Sequence, residues 1–136
     1  MNERDVVDLL KTAKQSGVKV WLDGGWGVDA LVGRQTRPHD DIDGFIEKKN
    51  AAIFINMLAS KGYQEMKMEY TTEGHTVWRD SSGRTVDLHL FEFAGNNSLR
   101  FENETYPVDV MNGKGLIGSF LVRCLTAEAQ LLFHQG

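Results

Sequence analysis

Apolar residues recur at helical spacing at Val6, Val7, Leu9, Leu10 and Ala13, with Asn2 before them as a cap and Gly17 after them as a stop, so the chain opens on an amphipathic helix. Val18 to Asp23 alternates and is rich in β-formers. Gly24 and Gly25 break that run, and Gly27 to Gly33 reads as a short helix carrying Val28, Ala30, Leu31 and Val32. The predicted order is strand, glycine turn, helix. Arg34 to Asp40 is a polar connection containing Pro38, and it delivers the chain into a second strand, Asp41 to Ile46. A helix through Ala51, Ile53, Phe54, Met57 and Leu58 follows, capped by Asn50 and closed by Gly62.

From Tyr63 the pattern turns to strands: Tyr63 to Tyr70, His75 to Arg79, a Ser81-Ser82-Gly83 turn, Thr85 to Phe93, and a short strand near Leu99 to Phe101 after Gly95-Asn96-Asn97. Glu102 to Lys114, with Pro107, reads as a polar, irregular connection. Leu116, Ile117, Phe120 and Leu121 are apolar, and Thr126 caps a last helix, Ala127 to His134, close to the terminal Gly136.

The chemistry lies in the acids among the strands. Alternate residues of a strand share a face, so His39, Asp41 and Asp43 are expected on one side, the two carboxylates about 7 Å apart along the backbone. No Lys or Arg lies within Asp41-Ile42-Asp43 to neutralise them. Unpaired charge is costly to bury, which points to a hard, oxygen-seeking cation such as Mg²⁺. In Thr85 to Phe91, Val86, Leu88 and Leu90 share one face and Asp87, His89 and Phe91 the other. Asp87 is either a solvent-facing acid on an edge strand or a third carboxylate completing the Asp41 and Asp43 site. His89 is a candidate for touching substrate.

Gly24 and Gly25 let backbone approach a ligand, and amides in such a turn and at a helix N-terminus are anion donors, so phosphate is the expected guest. Arg37 and His39 stand just before the acidic pair, where they are candidates for contact with a triphosphate. Asp23 and Asp29 flank the glycines and read as structural. Three aspartates beside a phosphate turn form the layout of a two-metal phosphoryl or nucleotidyl transfer site, with divalent ions about 4 Å apart. Asp41 and Asp43 hold metal, and Asp87, ligand or not, is placed to take the proton from an acceptor hydroxyl. An isolated Asp titrates near 3.9, roughly, so that role requires burial or acidic neighbours to raise it.

Length and composition narrow the partners. The 136 residues suit a single domain, residues 1–136, and 41% hydrophobic with 25% charged is an ordinary globular composition. A charge of −4 argues against nucleic acid, which is bound through clustered Lys and Arg, and favours a small substrate. No apolar run approaches the roughly 20 residues of a membrane span, so a cytoplasmic protein is expected. Cys124, the single cysteine, forms no intramolecular disulfide and is expected in the core.

The run Trp21-Leu22-Asp23-Gly24-Gly25-Trp26-Gly27-Val28-Asp29-Ala30-Leu31, followed by Gly33-Arg34 and Thr36-Arg37-Pro38-His39-Asp40-Asp41-Ile42-Asp43, resembles the small antibiotic nucleotidyltransferases of the polymerase-β-like superfamily. Val86-Asp87-Leu88-His89 and Ala127-Glu128-Ala129-Gln130-Leu131-Leu132-Phe133-His134 turn the likeness toward the lincosamide nucleotidyltransferases. It extends over nearly the whole chain. The resemblance implies an α/β fold of α+β type, a mixed β-sheet flanked by helices, and Mg²⁺-dependent transfer of AMP from ATP to a hydroxyl of lincomycin or clindamycin. By position, Asp41 and Asp43 match the metal pair, Asp87 the third acid, and Gly24 and Gly25 the phosphate turn.

Gly44 stands where these enzymes usually carry a branched apolar residue, and the family chain usually continues beyond the position of Gly136. An aminoglycoside acceptor is the nearest alternative. A polycationic sugar suits an acidic cleft, whereas a lincosamide, with one amine and apolar portions, suits aromatic neighbours such as Tyr70, Trp78 and Phe91, which suit a core equally well. From another class, a non-catalytic nucleotide-binding or antitoxin-like module would keep the fold and be marked by loss of an acid, yet all three acids are present. A homodimer, with a second subunit walling the acceptor pocket, suits so small an enzyme.

Overall fold

The computed structural model describes residues 1–133. Helix α1 (Glu3–Gln15) is fixed at its start by a reciprocal cap: Asp5 N donates to Asn2 Oδ1 at 2.9 Å and Asn2 N donates to Asp5 Oδ2 at 3.0 Å. Strand β1 (Trp21–Asp23) passes directly into α2 (Gly24–Val32), so the two glycines form the first turn of the helix itself and not a turn ahead of it. Strand β2 (Asp41–Glu47) leads through a 3₁₀ turn, Lys48–Asn50, into α3 (Ala51–Ser60). Asn50 precedes α3 without a side-chain capping bond, because the 3₁₀ turn already feeds the helix.

Strand β3 is confined to Gln64–Met66, since Met68 N donates to Thr71 Oγ1 and Thr71 N to Met68 O, turning the chain where a strand to Tyr70 was expected. Strands β4 (His75–Arg79) and β5 (Thr85–Ala94) form a hairpin across the Ser81-Ser82-Gly83 turn. Strand β6 (Ser98–Phe101) and strand β7 (Glu104–Pro107) extend from the far end of β5. A second hairpin, β8 (Gly113–Ile117) and β9 (Phe120–Cys124), precedes α4 (Ala127–Phe133), where Ala129 N donates to the Thr126 hydroxyl at 3.1 Å. The remainder of the expected last helix, His134, lies outside the described residues, as does the terminal Gly136.

Strand β7, the 3₁₀ turn Val108–Met111 and the start of β8 replace much of the irregular connection expected over Glu102 to Lys114. The sequence hides β8 because Gly113 and Gly115 remove its β-former signature, and packing demands both. A Cβ on Gly113 would collide with the carbonyls of Cys124 and Leu125, and one on Gly115 with the Ala30 carbonyl of α2.

The main sheet runs β3-β4-β5-β2-β1-β9-β8, with β2 parallel to β5, β1 parallel to β9 and the other pairs antiparallel. This is the mixed sheet with flanking helices that the resemblance implies. Strand alternation sorts two cores. Ile42, Ile46, Val86 and Leu88 join Val6, Leu9 and Leu10 of α1 and Phe54 and Leu58 of α3 on one face. Phe45 and Phe91 join Trp21, Leu99, Met111, Leu125 and Ala129 on the other. Each such buried Leu, Ile or Phe contributes about 1.5–3 kcal/mol, so the pleat of β2 and β5 is pinned from both sides. Cys124 is fully buried, and burial pushes its thiol up to about 11. No described helix is long and apolar enough to cross a membrane.

Candidate active site

Register places the acids. Parallel pairing of β2 with β5 sets Asp41 beside Thr85 and Asp43 beside Asp87, while antiparallel pairing with β1 sets Asp23 beside Asp43. Because the alternate residues Ile42, Gly44, Val86 and Leu88 face the α1 and α3 side, Asp41, Asp43 and Asp87 face the other. One carboxylate oxygen from each lies within 4.8 Å of the other two. Burial, then the charges of Asp43 and Asp87, raises Asp41 to about 6. A half-buried carboxyl pushed up by two neighbours is what a divalent cation relieves, so the three side chains fit Mg²⁺.

Asp87 departs from expectation. Burial raises it, but a hydrogen bond from His75, the His75 charge and further contributions from Asp41 and His89 outweigh burial and leave it below the usual carboxylate range. His75 Nε2 stands 2.8 Å from Asp87 Oδ1, and that contact in turn raises the histidine. The raised acid is therefore Asp41, and the condition set for Asp87 as a strong general base is not met. Sequence reading passed over His75. Its signal was the Ser81-Ser82-Gly83 hairpin, whose register pairs His75 with His89 and puts both on the Asp87 face.

His89 lies where strand alternation put it. Its ring stacks on Phe45 at 4.7 Å and on His75 at 4.3 Å, and its Nε2 is 3.5 Å from Asp43 Oδ1. Tyr70 follows at 5.1 Å from the His75 ring, half-exposed. Trp78 is corrected: β4 alternation turns it to the opposite face, where it is buried in the α1 and α3 core with its indole N–H donating to Thr76 Oγ1. It has no face toward the acids. Phe91 is likewise core.

His39 is not a β2 residue. The strand begins at Asp41, and the connection before it folds back on α2, where His39 Nε2 meets Asp29 Oδ2 at 2.6 Å. Asp29 also accepts from Thr36 N at 3.0 Å and the Thr36 hydroxyl at 2.5 Å. Burial raises Asp29, but Thr36 and His39 together hold it below its ordinary value, so it is the structural acid expected. The His39 ring edges onto Trp26 at 5.0 Å, and its Nδ1 side lies against Gly25. Arg37 stands exposed in the same connection.

The two glycines serve close approach. Gly24 has φ +64, and a Cβ there would overlap the Asp43 carboxylate; a Cβ on Gly25 would overlap the His39 ring. The N-terminus of α2 is thereby brought against Asp43, where its dipole favours negative charge. Gly44 is tight rather than loose: a Cβ would meet Val20 Cγ1 at 3.3 Å.

At the notch where β5 leaves β4 for β6 lies a cleft of about 490 Å³ lined by Lys48, Glu73, Gly74, Glu92, Arg100 and Glu102 among others, and by none of the three acids. Three glutamates against one lysine and one arginine leave it one net negative charge.

The chain is similar to known antibiotic nucleotidyltransferases. A lincosamide resistance protein of Staphylococcus haemolyticus is 27% identical over 146 residues, covering 100% of this chain and 86% of the relative. A 2''-aminoglycoside nucleotidyltransferase of Escherichia coli is 49% identical over 68 residues, 48% of this chain and 38% of the relative. Among solved structures, the lincomycin-bound lincosamide antibiotic adenylyltransferase LnuA matches with a TM-score of 0.85 and 28% identity, over 100% of this chain and 87% of that one. ANT(2'')-Ia in complex with adenylyl-2''-tobramycin matches in fold, with a TM-score of 0.81 and 22% identity over 97% of this chain and 73% of that one. The family model for aminoglycoside-2''-adenylyltransferase matches residues 5–136. With a nucleotidyltransferase fold, three converging acids and a family match over nearly its whole length, the chain belongs to the aminoglycoside-2''-adenylyltransferase family of nucleotidyltransferases.

Proposed function

We propose that this protein moves AMP from ATP to a hydroxyl of a lincosamide antibiotic, with Mg²⁺ held by Asp41, Asp43 and Asp87. The observation that carries the reading is the convergence of those three carboxylates, with Asp41 raised to about 6 by burial and by the other two. Mg²⁺ bound there supplies charge neutralisation for the triphosphate and for the oxygens that enter and leave phosphorus. The acceptor oxygen forms a bond to the α-phosphorus, the bond to the β-phosphate oxygen breaks, and pyrophosphate leaves.

The protein's share is orientation and proton transfer. Asp87, kept ionised by His75, accepts a hydrogen bond from the acceptor hydroxyl and takes its proton late, as bonding to phosphorus makes that proton more acidic. The N-terminus of α2, which Gly24 and Gly25 bring against Asp43 and His39, supplies amide donors for phosphate. His39, its Nε2 bonded to Asp29 and its Nδ1 side packed on Gly25, sets the first turn of α2 toward the same phosphates, and exposed Arg37 swings toward the leaving pyrophosphate. His89, stacked and rigid, forms the floor on which the acceptor rests.

Likeness to a lincosamide resistance protein over 100% of this chain, against 48% for the aminoglycoside relative, supports a lincosamide over an aminoglycoside. A second copy of the chain walling the acceptor pocket belongs to the same proposal. The test is acceptor-dependent pyrophosphate release from ATP across lincomycin, clindamycin and an aminoglycoside, with and without Mg²⁺. Release with the lincosamides and Mg²⁺ is expected; release with the aminoglycoside alone moves the substrate, and release with none refutes the activity.

A further inference from the structure

The stacked rings beside the acids carry imidazole nitrogens, which the carboxylate set lacks. His75, Asp87 and His89 each offer one ligand atom, and the three lie within 4.8 Å of one another. Their spacing is set by the sheet: His75 and His89 are paired across β4 and β5, and Asp87 stands two residues before His89 on the same face. His75 Nε2 is 2.8 Å from Asp87 Oδ1, and His89 Nε2 is 3.5 Å from Asp43 Oδ1, so a fourth donor stands beside the three.

Both rings are held in place by packing. His89 is clamped between Phe45 and His75, and His75 between His89 and Tyr70. The Nδ1 of His89 is buried and makes no hydrogen bond among the described residues, so stacking, not hydrogen bonding, sets that ring. Tetrahedral Zn²⁺, with bonds of about 2.0–2.2 Å to nitrogen and oxygen, places its donors roughly 3.4 Å apart, a separation within the span of this group. Donor type then decides the ion. All-carboxylate sets suit Mg²⁺, whereas two imidazoles favour zinc, cobalt, nickel or copper.

We infer that His75, Asp87 and His89, with Asp43 in reach of a fourth position, form a nitrogen-containing site for a divalent transition ion such as Zn²⁺, distinct in chemistry from the carboxylate set with which it shares Asp87 and Asp43. An ion there competes with Mg²⁺ for both shared acids, so zinc inhibits transfer. That inhibition rests on the proposed function; the site does not.

The test uses the full chain stripped of metal and titrated with Co²⁺, whose visible absorption reports nitrogen-containing, low-coordinate ligation. A single saturating band is expected, displaced by Zn²⁺ and retained against an equal concentration of Mg²⁺. His75→Gln and His89→Gln, each first shown to melt like the parent, should each weaken Co²⁺ binding at least about ten-fold. On the unaltered protein, Zn²⁺ should shift the imidazole nitrogen resonances of two of the four histidines. Absence of the band and of those shifts, displacement of Co²⁺ by an equal concentration of Mg²⁺, or unchanged binding in both variants overturns the site whether or not transfer activity is found.

Discussion

His75 Nε2 lies 2.8 Å from Asp87 Oδ1, across a hairpin whose register also stacks His75 on His89. The contact fixes the Asp87 carboxylate and keeps it ionised. Asp87→Asn keeps the shape and a bond to His75 but removes the proton acceptor and one charge of the triad. Turnover should fall by at least about a thousand-fold, while the melting temperature holds or rises because Asp41 loses a repelling neighbour. Retained turnover would remove Asp87 from the chemistry.

Asp41 makes stability depend on pH in a defined window. Its folded value, about 6, lies above its ordinary 3.8, so the folded state favours the protonated carboxyl. Its contribution is fully present below about pH 4 and is lost as pH rises through 6. Since the group is only half-buried, about 1 kcal/mol is a fair size once solvent screening is allowed for. Melting in chelator should show this loss between pH 4 and 6.5, and Asp41→Asn should abolish that segment of the profile. A profile identical in parent and variant would contradict the crowding of the triad.

Metal should reverse the same loss. Mg²⁺ binds the ionised triad, so the melting temperature gained on adding Mg²⁺ should be larger at pH 7 than at pH 4.5. Equal gains at both pH values would place the ion elsewhere.

Gly24→Ala combines a left-handed backbone position, φ +64, with a Cβ that overlaps the Asp43 carboxylate. The backbone penalty alone is about 1 kcal/mol, and moving Asp43 costs activity in addition. Gly95→Ala is the control, since nothing lies within 4 Å and its φ is not positive. Thermal melting and pyrophosphate release should separate the two variants; equal behaviour would deny the close packing of Asp43 on α2.

The sequence was informative where period and chemistry agreed. Strand alternation placed Asp41 and Asp43 on one face and set Asp87 and His89 opposite Val86 and Leu88. It misplaced His39 because Pro38 to Asp40 lacks a strand's pleat and follows α2 instead, drawn by a buried bond to Asp29. Trp78 could not be sorted by aromaticity alone; only hairpin register says that it faces away from Asp87. Strand β8 was invisible because Gly113 and Gly115, chosen for close packing, look like turn residues. The low titration of Asp87 depends on His75, twelve residues away, and such a cross-strand contact leaves no local trace.

The most direct test is mass spectrometry of lincomycin and clindamycin after incubation with the protein, ATP and Mg²⁺, beside the Asp87→Asn variant and a metal-free control. The account predicts a gain of one AMP on the lincosamide that needs both Mg²⁺ and Asp87. Unmodified drug under all conditions, or the same adduct formed without metal, would contradict it.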